Sequence, residues 1–132
     1  MRVFVDSNVA MYAAGAAHPN KQPCLDFLAE AYRGRVQAVT STEVLQEILH
    51  RYRRLGHTAV AADVYSLMVQ LCVEVLPVTI ADTDLCVELL RGIEGSARDA
   101  LHVAVMRNSG LGMIASYDAG FDEFGVDRWT FG

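Results

Sequence analysis

The chain has 132 residues, 52% of them hydrophobic and 20% charged, and a formal net charge of −5. That length suits one domain over residues 1–132, and the composition supports a packed core and argues against disorder. No apolar stretch approaches the roughly 18 residues of a membrane span, and Asp6 interrupts any signal-like opening, so the expected location is cytoplasmic, with no membrane partner. Residues 2–5 read as a strand buried on both faces, because β-branched and aromatic side chains follow one another without alternation. A short helix is expected over 7–15, a turn at "HPN" (18–20), and an amphipathic helix over 21–33 with Cys24, Leu25, Leu28, Ala31 and Tyr32 inward. A second strand follows at 36–39. The helix over 41–56 carries Val44, Leu45, Ile48, Leu49 and Tyr52 as one stripe. The helix over 58–72 is expected to turn Val60, Val64, Leu67, Met68 and Leu71 inward.

"VEVLPV" (73–78) is a third strand, with Pro77 at its end or at a sheet edge. Residues 80–93 are helical, and "SARDALHVAVMRNSG" (96–110) is a helix apolar nearly all round. "GMIAS" (112–116) is a fourth strand, 118–124 a loop or single turn, and "DRWTF" a fifth, edge strand. Strands alternating with helices predict an α/β fold: a three-layer α/β/α domain with a central, mostly parallel sheet of four or five strands. Cys24, Cys72 and Cys86 are widely spaced and odd in number. They fit neither a zinc ribbon nor a disulfide framework and read as reduced thiols.

Ligands bind open α/β sheets at the carboxyl ends of the strands, so the residues after each strand matter most. Asp6 follows the first strand. Glu43 lies in the first turn of the helix after the second. Asp99 lies in the first turn of the helix feeding the fourth strand, with Asp118 and Asp122 after that strand. Each also has a structural reading: "TSTE" (40–43), "TIAD" (79–82) and "SARD" (96–99) resemble capping boxes, and Asp6 and Asp118 suit N-caps. Ser7 is the better candidate for capping the first helix, which would free the Asp6 carboxylate. Clustered carboxylates raise one another's pKa unless a cation compensates them. A hard divalent ion such as Mg²⁺ or Mn²⁺ takes oxygen ligands and substrate phosphates together. Asp6, Glu43, Asp99, Asp118 and Asp122 account for the whole formal −5. An ion-loaded pocket would therefore leave a near-neutral body able to bind a polyanion.

The strand ending in Asp6, then "TEVLQEI", "RDALHVAVM" and "ASYDAGFDEF", in that order, resemble the PIN-domain ribonucleases, in their short form the VapC toxins of toxin–antitoxin pairs. The resemblance covers Asp6 to Asp122. It implies a Mg²⁺- or Mn²⁺-dependent endoribonuclease, with Asp6 and Asp99 as the main metal ligands and Glu43 and Asp118 completing the acidic set. Asp122 would assist through water. Ser116 supplies the hydroxyl of the family's S-x-D, and Ser7 keeps the hydroxyl where many relatives carry Thr. The resemblance further implies an RNA substrate, a homodimer, and a VapB-type antitoxin whose segment enters the acidic groove.

Smaller features carry two readings each. Arg51, Arg53 and Arg54 suit the helix dipole at a C-terminus and also phosphate contact. Arg98 could orient Asp99 or touch RNA. His102 reads as a buried structural histidine, with a general base as the other option. Tyr12 and Tyr117 suit packing or base stacking. Two other classes compete with the ribonuclease. One is another metal-dependent phosphohydrolase: Asn8 stands where a haloacid-dehalogenase-like enzyme wants a second acid, no lysine follows Lys21 for a receiver domain, and no P-loop occurs. The other is a non-catalytic module of the same fold.

Overall fold

Val3, Phe4 and Val5 follow one another without a polar break. In the computed structural model, which describes residues 1–132, they lie in β1 (Arg2–Val5) and are fully buried. A strand with no exposed face needs a layer on each side. The chain continues through α1 (Ser7–Ala14) and α2 (Lys21–Tyr32) to β2 (Gln37–Ser41). It then passes through α3 (Thr42–Arg54) and α4 (Thr58–Leu71) to β3 (Glu74–Leu76). Helices α5 (Ile80–Gly92) and α6 (Ala97–Asn108) lead to β4 (Met113–Ala115), and a 3₁₀ turn (Ala119–Phe124) leads to β5 (Asp127–Arg128). No helix is long and apolar enough to cross a membrane.

The sheet order is β3-β2-β1-β4-β5, with every neighbouring pair parallel. The sheet thus has five strands and is wholly parallel. The crossovers through α1–α2 and α3–α4 step in one direction from β1. The crossover through α5–α6 returns past β1 to its other side. Right-handed connections therefore put α1–α4 on one face and α5–α6 on the other, and the helices pack on one another in those two groups. The strand order reverses between β1 and β4, which makes their carboxyl ends the switch point where such sheets keep their sites.

Two helical stripes differ from expectation. On α2 the buried residues are Cys24, Phe27, Leu28 and Ala31, while Leu25 and Tyr32 are exposed. Phe27 turns inward because Trp129 and Phe131 cover it edge-on, at centroid distances of 5.2 and 6.0 Å. On α4 only Ala61, Val64 and Met68 are buried, and Val60 and Leu67 face out. That helix packs principally on α3, and one partner helix covers a narrower stripe than a sheet does.

Candidate metal centre

Asp6 stands where β1 gives way to α1. Its backbone N–H donates to Ala115 O at 3.1 Å, so β1 and β4 stay paired up to the acid. The carboxylate is buried. Oδ1 accepts from Ser7 N at 2.8 Å, while Oδ2 accepts from Ser116 Oγ at 2.7 Å and from Asn8 Nδ2 at 3.4 Å. Asp6 itself is therefore the N-cap of α1, and Ser7 is not, contrary to the sequence expectation. Ser7 lies inside the helix, where its hydroxyl donates to Glu47 Oε1 instead. Capping does not exhaust Asp6, because a carboxylate offers about four acceptor positions.

Ser116, at the end of β4, ties the two strand ends together. Besides donating to Asp6, its hydroxyl accepts from Asp118 N at 3.0 Å and from Asn8 Nδ2 at 3.1 Å. Asp118 caps the 3₁₀ turn through Oδ1, which accepts from Gly120 N at 2.8 Å. Asp99 approaches from α6, where Ser96 caps the helix by accepting from Asp99 N at 3.0 Å. A β-carbon at Gly120 would stand 2.8 Å from Asp99 Oδ2 and 3.0 Å from Asp118 Oδ1. A side chain there would push one or both carboxylates aside. Burial, followed by the Asp118 charge, pushes the Asp99 carboxyl up to about 6. Burial likewise raises Asp6, against the opposing pull of His102 and the Ser116 hydroxyl.

Glu47, rather than Glu43, is the acid that α3 brings to this place. It is buried, and its Oε2 lies 3.3 Å from Arg98 Nε and 3.9 Å from His102 Nε2. Burial alone would raise its pKa; the His102 imidazole and the Ser7 hydroxyl overcome that and hold it at about 2. Glu43, one turn earlier and half-buried, makes no side-chain hydrogen bond or ion pair and stands outside the cluster. The missed signal was a carboxylate inside an apolar stripe, since position 47 lies between Val44 and Ile48 on the buried face. Asp122 is exposed, and both its oxygens accept from Arg128, at 2.8 and 3.2 Å. The ring of His102 is buried between Phe4 and Phe121, with centroids at 5.9 and 6.2 Å.

The donor set can hold a metal ion. Asp6, Glu47 and His102 each present a ligand atom within 4.8 Å of the others. Glu47 Oε2 and both ring nitrogens of His102 are buried without a hydrogen bond. Burial alone would lower His102, but the neighbouring Glu47 and Asp6 raise it above its ordinary value. The opposite lobe, Asp6 with Asp99 and Asp118, offers only oxygen donors. That lobe fits a hard divalent ion.

A family model described as "PIN domain" matches residues 3–127. The chain is 39% identical over 128 residues to VapC ribonuclease Mb1869c of Mycobacterium bovis, covering 96% of this chain and 98% of that one. Its fold is similar to that of Mycobacterium tuberculosis VapC20, a toxin described as cleaving the sarcin-ricin loop, with a TM-score of 0.78 at 23% identity over 94% of this chain and 95% of that one. It is also similar to a chain of VapBC2 from Rickettsia felis, solved bound to a promoter DNA fragment. There the TM-score is 0.74 at 14% identity over the whole of both chains. With the PIN-domain match spanning the sheet and its acids, and a VapC ribonuclease aligned nearly end to end, the chain belongs to the PIN-domain family as a VapC-type member.

Proposed function

We propose that residues 1–132 form one PIN-like unit that cleaves RNA phosphodiester bonds as the toxin of a VapBC-type pair, using Mg²⁺ or Mn²⁺. The observation that carries this is the meeting of Asp6, Asp99 and Asp118 around Gly120 and Ser116 at the sheet's switch point, in a chain aligned nearly end to end with a VapC ribonuclease. In this reading Asp6, Asp99 and Asp118 hold the ion, and Glu47 takes the place expected for Glu43. A divalent ion bound there supplies positive charge that polarises the phosphodiester and acidifies the attacking water. Ser116 and Ser7 N hold the Asp6 carboxylate in one orientation. Glu47 is kept ionised by His102, Ser7 and Arg98. Asp122, engaged by Arg128, takes a supporting role in shaping the 3₁₀ turn.

The expected setting is the cytoplasm, with a VapB-type antitoxin covering the acidic groove. A second copy of the chain would complete a homodimer. The test is cleavage of structured RNA by purified protein with Mg²⁺, Mn²⁺ or EDTA, alongside Asp6→Asn. Cleavage should require the ion and fall at least a hundredfold in the variant, in the range of losses seen when a charge-stabilising catalytic group is removed. Full cleavage in EDTA, or by Asp6→Asn, would refute the mechanism.

A further inference from the structure

Beside the acidic centre, two clefts share a wall. The first, of about 330 Å³, has Asn8, Met11, Tyr12, Gly15, His18 and Arg51 among its lining. The second, of about 440 Å³, is lined by His50, Arg51, Arg54 and Arg98, and it shares Met11 and Arg51 with the first. Asn8 joins the pair to the acids, since its amide donates to Asp6 Oδ2 and Ser116 Oγ.

The two clefts differ in chemistry. In the first, Tyr12 and His18 lie with ring centroids 4.7 Å apart, and Tyr117 meets Tyr12 edge-on at 5.4 Å. Gly15 lets the chain fold back tightly after α1, because a β-carbon there would stand 2.9 Å from Met11 O. The result is an aromatic wall, half-buried at Tyr12 and exposed at His18, beside Met11, Ala16 and Ala17, at the lower end of the ~300–1,000 Å³ typical of small-molecule sites. In the second cleft, Arg51 and Arg54 are exposed and make no ion pair or side-chain hydrogen bond. Arg53, from the same helix turn, instead donates to Thr58 Oγ1 at 3.2 Å. Set in the last turn of α3, where the helix dipole favours them, both guanidiniums are free to take an anion.

We infer that the paired clefts form a nucleotide subsite for the RNA strand flanking the cleaved phosphate, with a base against Tyr12 and His18 and the next phosphate on Arg51 and Arg54. This rests on the ribonuclease reading and extends it from chemistry to substrate selection. Aromatic walls take any base by its π-face, and arginines neutralise phosphates without reading sequence. Together they set the strand's path past Asp6, and differences in stacking strength on Tyr12 give a modest base preference at one position.

The probe is a pool of short random-sequence, fluorescently labelled RNA. Binding is measured in the Asp6→Asn background, and cut ends are sequenced with the active enzyme. Arg51→Ala with Arg54→Ala should weaken binding roughly tenfold and lower the salt slope by about 1.4, for two single-strand phosphate contacts. Both residues are exposed, so folding should be unaffected, with thermal melting as the control. Tyr12→Leu with His18→Ala should broaden the base preference at one position beside the cut, raising KM with kcat within about twofold; Tyr12→Phe should restore it. The subsite is refuted if the wild type cuts RNA but these variants keep its salt slope and cut-site profile. It is also refuted if they keep RNA binding and lose only binding to a protein partner. A wild type that neither binds nor cuts RNA overturns the ribonuclease reading first, and the subsite with it.

Discussion

At the start of α5, Asp82 N donates to Thr79 Oγ1, and Asp82 Oδ2 accepts from Thr79 N at 2.8 Å, while Oδ1 accepts from Asn108 Nδ2 at 2.8 Å. At the start of α6, Ser96 Oγ accepts from Asp99 N in the same manner, but the Asp99 carboxylate does not return the bond. It turns to Asp118 and Gly120 instead. Both helices open with a hydroxyl residue and an aspartate three positions on. In the first, both aspartate oxygens are bonded within the protein, and the acid serves stability. In the second, the carboxylate stays unpaired beside another carboxylate, at an electrostatic cost that a bound cation would relieve. The lesson is that a hydroxyl-x-x-acid motif announces a helix start, and the pairing of the carboxylate tells whether chemistry is also present.

Exchanging the charge at each helix start tests that contrast, and the largest effect is expected at α6. Asp99→Asn should reduce RNA cleavage by at least about a hundredfold without lowering the melting temperature. Asp82→Ala should leave kcat/KM within about twofold while lowering stability by ~2 kcal/mol, through the lost box and the lost bond to Asn108. Denaturant unfolding alongside the cleavage assay reads both. Loss of activity in Asp82→Ala at a temperature where it is fully folded would erase the distinction.

Gly120→Ala probes the same carboxylate from the other side. The new methyl would crowd Asp99 Oδ2 and Asp118 Oδ1, so cleavage should fall roughly tenfold, as expected for displaced reacting groups. Divalent-ion affinity should fall with it, while melting shifts only slightly. Unchanged affinity by calorimetric titration with Mn²⁺ would show that the two oxygens are not ligands.

The smallest expected effect is one of pH. Because the Asp99 carboxyl is raised to about 6, protons compete with the cation below that value, and Mn²⁺ affinity should weaken as pH falls through it. In the ion-free protein the sign reverses. The raised carboxyl contributes stability that is present at pH below its unfolded value and is lost as pH rises through about 6. Asp99→Asn should flatten both trends; an affinity independent of pH between 5 and 7, a window of about one unit on each side of that pKa, would count against the assignment.

Much of this protein was legible without coordinates. Unbroken apolar runs in 3–5 and 113–115, alternating with amphipathic helices, specify a parallel α/β sheet, because side-chain periodicity is a local property. Asp6, Asp99 and Asp118 were legible for the same reason, each lying next to a strand or helix end. Glu47 was not, because the sequence shows that α3 has a buried face but not which neighbours that face meets. Asp6 as cap, with Ser7 turned to Glu47, was likewise a choice between adjacent residues that only packing makes. The pairing of Met11 and Arg51 in one groove joins α1 to the far end of α3, a separation no local pattern spans. The sequence by itself determined the elements, their order and three acids at strand or helix ends. The tertiary structure decided which fourth acid joins them, which aspartate is tied up in a cap and which stays free, because those outcomes depend on distances between segments far apart in the chain.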